Sequence, residues 1–426
     1  CITWEITDHS DSELRFSCLP AESLGSYHGL LVDPLGQGVQ EFTIEVNETR
    51  VVARSEFVSQ VDLPLTQTGW AQSPRFALTL RARMDDEESG LPSAIVGISD
   101  PEGTANGRAF ELPLELRSGE SDAPNPVLLT SEPPEQSLAI NHLYGYALAQ
   151  SGSYVAASSF DGREVQAWVE VSSLDSEGNW LSLEYYHGDS EDEFGAALAL
   201  LSPSSSQDNQ SANAPPPYRL FIGSPAALND GVVGVFENEQ LVYNLQPSST
   251  SHGHDDSMRF GTAIDVNSSG ILVGAPGDGD LPGSAYFATH QGDSDTPQLQ
   301  ELVRSDPQPG DRFGHAVAMG EHFLLVGAPM YNSGGGAVYV FRRFEPGATW
   351  QEERIIMSNP SGDRVDQFGL SISAKGDMAV VGAPGEELAG QANYDRPAGA
   401  AYVLALNHQL QRVVVIDKLS APLQAN

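Results

Sequence analysis

The sequence predicts an all-β fold, a seven-bladed β-propeller of four-stranded antiparallel blades, on three observations. Short apolar runs alternate along the whole chain with turn residues, supplied by 42 Gly and 28 Pro in 426 residues. A pattern of Phe-Gly, then Gly-Ala-Pro, then Gly-x-x-Tyr recurs. Each copy holds four apolar runs, the mark of a four-stranded sheet. One such sheet cannot bury both faces, so the sheets must stack, and a closed ring protects their edges.

The clearest copy runs through Phe313-Gly314, Leu324–Pro329 and Gly336–Phe341, and the next through Phe368-Gly369, Ala379–Pro384 and Gly399–Leu404. A third holds Phe260-Gly261, Ile271–Pro276 and Gly283–Phe287, and a fourth Phe194-Gly195, Leu220–Pro225 and Gly231–Phe236. Fainter copies begin at Tyr144-Gly145, Phe76-Ala77 and Phe16-Ser17, the last followed by Leu30–Val32 and Gly38–Phe42. The seven markers lie 50–68 residues apart and span the chain, which predicts a single domain over 1–426. Fourth strands are expected at Ser55–Leu63, Pro126–Thr130, Trp180–Tyr186, Gln240–Leu245, Leu299–Val303 and Glu353–Met357. For the seventh place Ile2–Ile6 and Arg412–Ile416 compete, so one strand is surplus. It would extend a sheet edge or pair with another molecule.

The glycines of Phe-Gly and Val-Gly-Ala-Pro are read as points where backbones approach too closely for a side chain. The Tyr of Gly-x-x-Tyr is read as a wedge between blades. Together these residues resemble the FG-GAP repeat, which builds the seven-bladed propeller of integrin alpha subunits and of exported bacterial proteins. The resemblance implies a propeller; it says much less about function, because propellers host adhesion, scaffolding and several chemistries.

The formal net charge is −37, and Lys375 and Lys418 are the only lysines. Such a field repels phosphate and argues against a nucleic-acid partner. No apolar run approaches the ~20 residues that span a bilayer, so no transmembrane segment is expected. The chain starts at Cys1 without a leader, which reads as a mature, exported product. In an oxidising compartment Cys1 and Cys18 are expected to pair as a disulfide; a lipidated Cys1 is the rival reading.

The integrin-like repeat implies calcium in an acidic loop between the first two strands, because Ca²⁺ takes 6–8 oxygen ligands. The nearest match is Asp85, Glu87 and Ser89 before Gly90, where serine replaces the later acids. Asp265, Asn267 and Ser269 form a shorter version. His252, His254, Asp255 and Asp256 cluster ligand-type residues without regular spacing. Ser173, Asp175 and Trp180 resemble a structural Asp-box turn between two strands. No Gly-x-Ser-x-Gly, His-Glu-x-x-His or P-loop motif is present.

These features point to a non-catalytic extracellular module for binding, adhesion or assembly. Its partner would be a protein or glycan at the cell surface, or another copy of itself. A carbohydrate-active hydrolase with carboxylates at the propeller mouth, and a subunit of a surface polymer, are the alternatives. Contacts are expected from loops after Gly-Ala-Pro, at 277–282, 330–335 and 385–398. Tyr331, Asn332, Tyr394 and Arg396 are the candidate ligand-binding residues.

Overall fold

The computed structural model describes strand segments between residues 3 and 128 and most of residues 144–420. Within these, almost every regular element is a strand.

The first two strands, β1 (Thr3–Ile6) and β2 (Leu14–Ser17), form a two-stranded antiparallel sheet. Next, β3 (Ser26–Val32), β4 (Val39–Asn47) and β5 (Arg50–Ser55) form a three-stranded sheet in sequence order. Six four-stranded antiparallel sheets follow, all ordered as in the sequence. The first comprises β6 (Arg75–Arg81), β7 (Ser93–Ser99), β8 (Arg108–Pro113) and β9 (Val127–Leu128). After it come β10 (Tyr144–Ser151), β11 (Tyr154–Ser159), β12 (Gln166–Leu174) and β13 (Trp180–Asp189). The next comprises β14 (Ala197–Leu201), β15 (Arg219–Ser224), β16 (Val232–Glu237) and β17 (Gln240–Leu245). It is followed by β18 (Ala263–Asn267), β19 (Gly270–Ala275), β20 (Ser284–Ala288) and β21 (Gln300–Glu301). The last two are β22 (Ala316–Met319), β23 (Phe323–Ala328), β24 (Ala337–Arg342) and β25 (Gln351–Ile356), then β26 (Ser371–Lys375), β27 (Met378–Ala383), β28 (Ala400–Asn407) and β29 (Arg412–Ser420).

Two expectations for the first copy are corrected. The Phe16 strand pairs with β1 rather than with β3, in a register that sets Trp4 opposite Phe16 and Glu5 opposite Arg15. A pairing between segments this close in sequence is cheap to close. The outer strand of that copy ends at Ser55 instead of starting there. Arg412–Ser420 takes the fourth place of the last sheet, beside β28, while the N-terminal strand pairs with β2 instead of adding to that sheet.

The core is divided among the joints between successive sheets. Ile95 and Ala109 pack with Val155 and Trp168; Ala156 and Val169 with Leu198 and Leu220; Phe221 and Val235 with Phe260 and Val273. Leu272 and Phe287 pack with Val326 and Tyr339, and Leu325 and Val340 with Val381 and Leu404. Strands β23 and β24 are buried at every residue because a sheet lies on each side of them. That is why their sequences, FLLVGA and AVYVFR, lack strict polar alternation. Inner strands lie side by side from sheet to sheet: β6 by β10, β10 by β14, β14 by β18, β18 by β22 and β22 by β26.

Candidate functional site

The Phe-Gly motif lies just before each inner strand and builds the joint to the preceding sheet. Gly231, Gly283 and Gly336 form parallel backbone bridges to Phe260, Phe313 and Phe368. A Cβ on Gly223, Gly274 or Gly327 would stand 2.1, 1.9 or 2.1 Å from the carbonyl oxygen of Gly261, Gly314 or Gly369 in the next sheet. The close approach expected of these glycines is therefore physical. The tyrosine wedge is present too: Phe260, Phe313 and Phe368 meet Tyr286, Tyr339 and Tyr402 edge to face, with ring centroids 5.6, 5.0 and 5.1 Å apart. Each tyrosine belongs to the apolar cluster shared with the preceding sheet.

One feature of this turn has no sequence signal. The residue before Phe is left-handed in four consecutive copies, at Glu193, Arg259, Arg312 and Gln367, with φ of 57°, 56°, 57° and 54°. None is Gly or Asn, the types that announce this conformation. Its carbonyl accepts the N–H three residues on, from Ala196, Thr262, His315 and Leu370. This turn redirects the chain from the loop into the inner strand.

The same turn brings two loops together. The loop after the second strand donates backbone hydrogen bonds to the loop entering the first: Ala226 N–H to Asp192 O, Gly277 to Met258, Met330 to Asp311 and Gly385 to Asp366, at 2.9–3.2 Å. The loops after Gly-Ala-Pro and before Phe-Gly thus share one face, as the repeat predicts.

Among the described residues, several charges on that face are tied internally. Arg259 pairs with Glu193 of the preceding repeat, and its Nε is 3.6 Å from Asp278. Arg304 donates to Asp311 at 3.0 Å, both side chains being 4% exposed, and to the Pro282 carbonyl at 2.7 Å. Its guanidinium also lies 4.7 Å from the centre of the Phe313 ring. Burial pushes the Asp311 carboxyl up, against the Gln308 N–H and Arg304, which pull it down. Asp306 accepts hydroxyl bonds from Tyr331 at 2.8 Å and Tyr339 at 2.9 Å. Burial, and secondarily the Arg312 cation, lower the pKa of His315.

What remains at the surface is a mixed set. Asn332 and Ser333 are exposed and left-handed, in the turn Tyr331–Gly334. Arg312 is exposed. Leu228 and Val365 are apolar yet 67% and 56% exposed, and Leu228 is also left-handed. Exposed apolar groups on strained loops suit contact with a partner.

Of the candidate ligand-binding residues, Tyr331 is half-buried with its hydroxyl committed to Asp306, and Asn332 is presented outward. Tyr394 and Arg396 lie outside the described residues, as do Asp85, Glu87 and Ser89, the 252–256 cluster, Cys1 and Cys18. Asp265 accepts N–H bonds from Val266 at 2.9 Å and, across the joint, from Met319 at 2.7 Å. That carboxylate secures two sheets. Among the described residues no group of three or more His, Cys, Asp and Glu is placed to hold a metal. Strands β12 and β13 flank the Asp-box turn, with Leu174 opposite Trp180.

Stacked four-stranded sheets with glycine-tight inner joints and paired loops on one face define a repeat protein whose architecture fits a β-propeller. Residues 297–341 and 350–404 match the family described as FG-GAP repeat, so this part of the chain carries FG-GAP repeats. No curated protein matches the chain. Among the described residues no helix is long and apolar enough to cross a membrane.

Proposed function

We propose that the seven repeats form one ring that acts outside the cell as a non-catalytic module, binding a surface protein or glycan through its paired-loop face. The observation that carries this reading is the loop pairing. In four consecutive repeats it gathers the segments that differ most in sequence onto one face, while the strands beneath repeat. Three of the described carboxylates there are held by internal partners: Asp306 by two tyrosines, Asp311 by Arg304 and Glu193 by Arg259. Ser333, Arg312, Leu228 and Val365 are among the exposed groups of this face that can meet a ligand. FG-GAP repeats and an acidic, lysine-poor composition support an extracellular setting.

The test is a screen of the full chain against glycan and cell-surface protein arrays, beside a variant whose residues 331–334 are replaced by Gly and Ser. Binding lost in the variant, with the fold retained, is the expected result. Undiminished binding, or turnover of a glycan, would overturn the reading.

A further inference from the structure

In an Asp-Gly dipeptide the carboxyl can reach the next main-chain nitrogen, because glycine puts no side chain in the way. The sequence holds three, at Asp161, Asp230 and Asp278. The first lies outside the described residues. The other two sit in the loops after the second strands of successive sheets, β15 and β19, and the fold treats them oppositely. Asp230 and Gly231 are locked. The Gly231 N–H donates to the Ala227 carbonyl at 2.8 Å, the Asp230 carbonyl accepts from Phe260 of the next sheet at 2.7 Å, and Gly231 is buried in its bridge to Phe260. Asp278 and Gly279 are open. Gly279 and Asp280 are exposed, the Asp278 side chain is 50% exposed, and the Gly279 N–H has no hydrogen-bond partner among the described residues. Gly279 stands at φ +59°, in a turn closed by the Leu281 N–H on the Asp278 carbonyl at 3.2 Å. The Asp278 carboxylate is 3.6 Å from Arg259 Nε, a guanidinium that Glu193 also holds. A pair that long and that exposed restrains the side chain little.

We propose that Asp278–Gly279 is a site of spontaneous isoaspartate formation, a self-modification that needs only water. The Gly279 main-chain nitrogen attacks Cγ of Asp278; a C–N bond forms, a C–O bond breaks, and the carboxyl hydroxyl leaves as water with the amide proton. Water then opens the five-membered imide. Attack at the Cγ carbonyl restores aspartate, whereas attack at the α-carbonyl breaks the original peptide link and routes the main chain through Cγ. No mass is gained or lost. The isomer lengthens the backbone by one methylene and turns the carbonyl that accepts from Leu281 into a free carboxylate. Loop 277–282 is tied to the loops entering its own sheet and the next one, by Gly277 to Met258 and Asp278 to Ser257, both at 2.9 Å, and by the Gly310 N–H to Leu281 at 3.2 Å. The change is therefore delivered to the paired-loop face. Its effect on a ligand rests on the function proposed above; the chemistry does not.

The test keeps the full-length chain in warm, neutral oxygen-18 water for several weeks, digests it in ordinary water and maps the peptides by mass spectrometry. Each passage through the imide leaves a solvent oxygen at the site, and isoaspartate is recognised by its backbone fragment ions. The Asp278 peptide should take up label about tenfold or more faster than the Asp230 peptide, which has two backbone hydrogen bonds to break first. In denaturant the two sites should label at similar rates. Equal labelling in the folded chain, or none at Asp278, overturns the proposal. So does a preference that persists in denaturant, since its cause would then be the flanking residues. Asp278→Glu keeps the charge beside Arg259 but would need a six-membered ring, so label at that position should vanish; label retained there also overturns the proposal. The labelling uses no ligand and array binding is scored separately, so either reading can fail alone.

Discussion

A Cβ on Gly274 would sit 1.9 Å from the carbonyl oxygen of Gly314, a backbone atom of the next sheet that has no means of turning away. Gly274→Ala therefore has to push two sheets apart. Its expected cost is about 2–4 kcal/mol, above the usual range for one added methyl in a core. At Gly310, where nothing lies within 4 Å, alanine meets only the backbone penalty of φ +76°, about 1–2 kcal/mol. Urea unfolding of the two variants should preserve that order; equal costs would remove the backbone contact as the cause.

Asp311 and Arg304 provide a second contrast. Asp311→Ala leaves a buried guanidinium without its carboxylate and should destabilise by about 3–5 kcal/mol, whereas replacing both residues by leucine should recover most of the loss. The double variant unfolding no later than the single one would show that the pair is valued for more than mutual neutralisation.

The Asp265 carboxyl is raised to about 6 by burial, which outweighs the two N–H bonds from Met319 and Val266. The folded state therefore holds this proton more tightly than the unfolded chain. Its favourable contribution is present below about pH 4 and is lost as pH rises through 6. Relative to Asp265→Asn, which does not titrate, the wild type should lose about 1–3 kcal/mol between pH 4.5 and 7.5. The difference between the two unfolding curves isolates this group from the other acids, and a pH-independent difference would refute the assignment.

Ser333 stands at φ 62°, where glycine is unstrained. Ser333→Gly should be neutral or stabilising by up to about 1 kcal/mol, in spite of the usual entropic cost of glycine. A clear drop in melting temperature would mean that its side chain is structural.

Chelator is expected to shift the melting temperature by only a few degrees. Asp265, the acid of the best-described loop, already serves the backbone of the next sheet. Unfolding in chelator would point to a metal elsewhere in the chain.

The fold was legible in the sequence wherever one residue type alone satisfied a backbone demand. Gly223, Gly274 and Gly327 marked the inner joints because no side chain fits them, and the paired loops followed from the repeat. Most fourth strands were legible too: Gln240–Leu245 forms over those very residues, and Glu353–Met357 overlaps β25. The left-handed residues before Phe were illegible, since Glu193, Arg259, Arg312 and Gln367 share no chemistry and their φ is imposed by the joint. The separation of the Phe16 strand from β3 was not legible, because a local hairpin with β1 competes with the longer-range repeat pattern. At the candidate site, Asn332 was named from its loop position and is exposed, but the capture of Tyr331 by Asp306 depends on a residue 25 positions earlier that belongs to no motif.

In four successive repeats the Phe-Gly glycine donates its N–H to the carbonyl of the strand-two glycine: Gly195 to Gly223, Gly261 to Gly274, Gly314 to Gly327 and Gly369 to Gly382, all at 2.9–3.0 Å. The entry into each inner strand thus has a fixed gauge within its own sheet, set by main-chain atoms that no side-chain substitution resizes. Side chains of the loops can drift without altering these bonds. A chain built this way can change what it touches many times over while its strand entries stay the same.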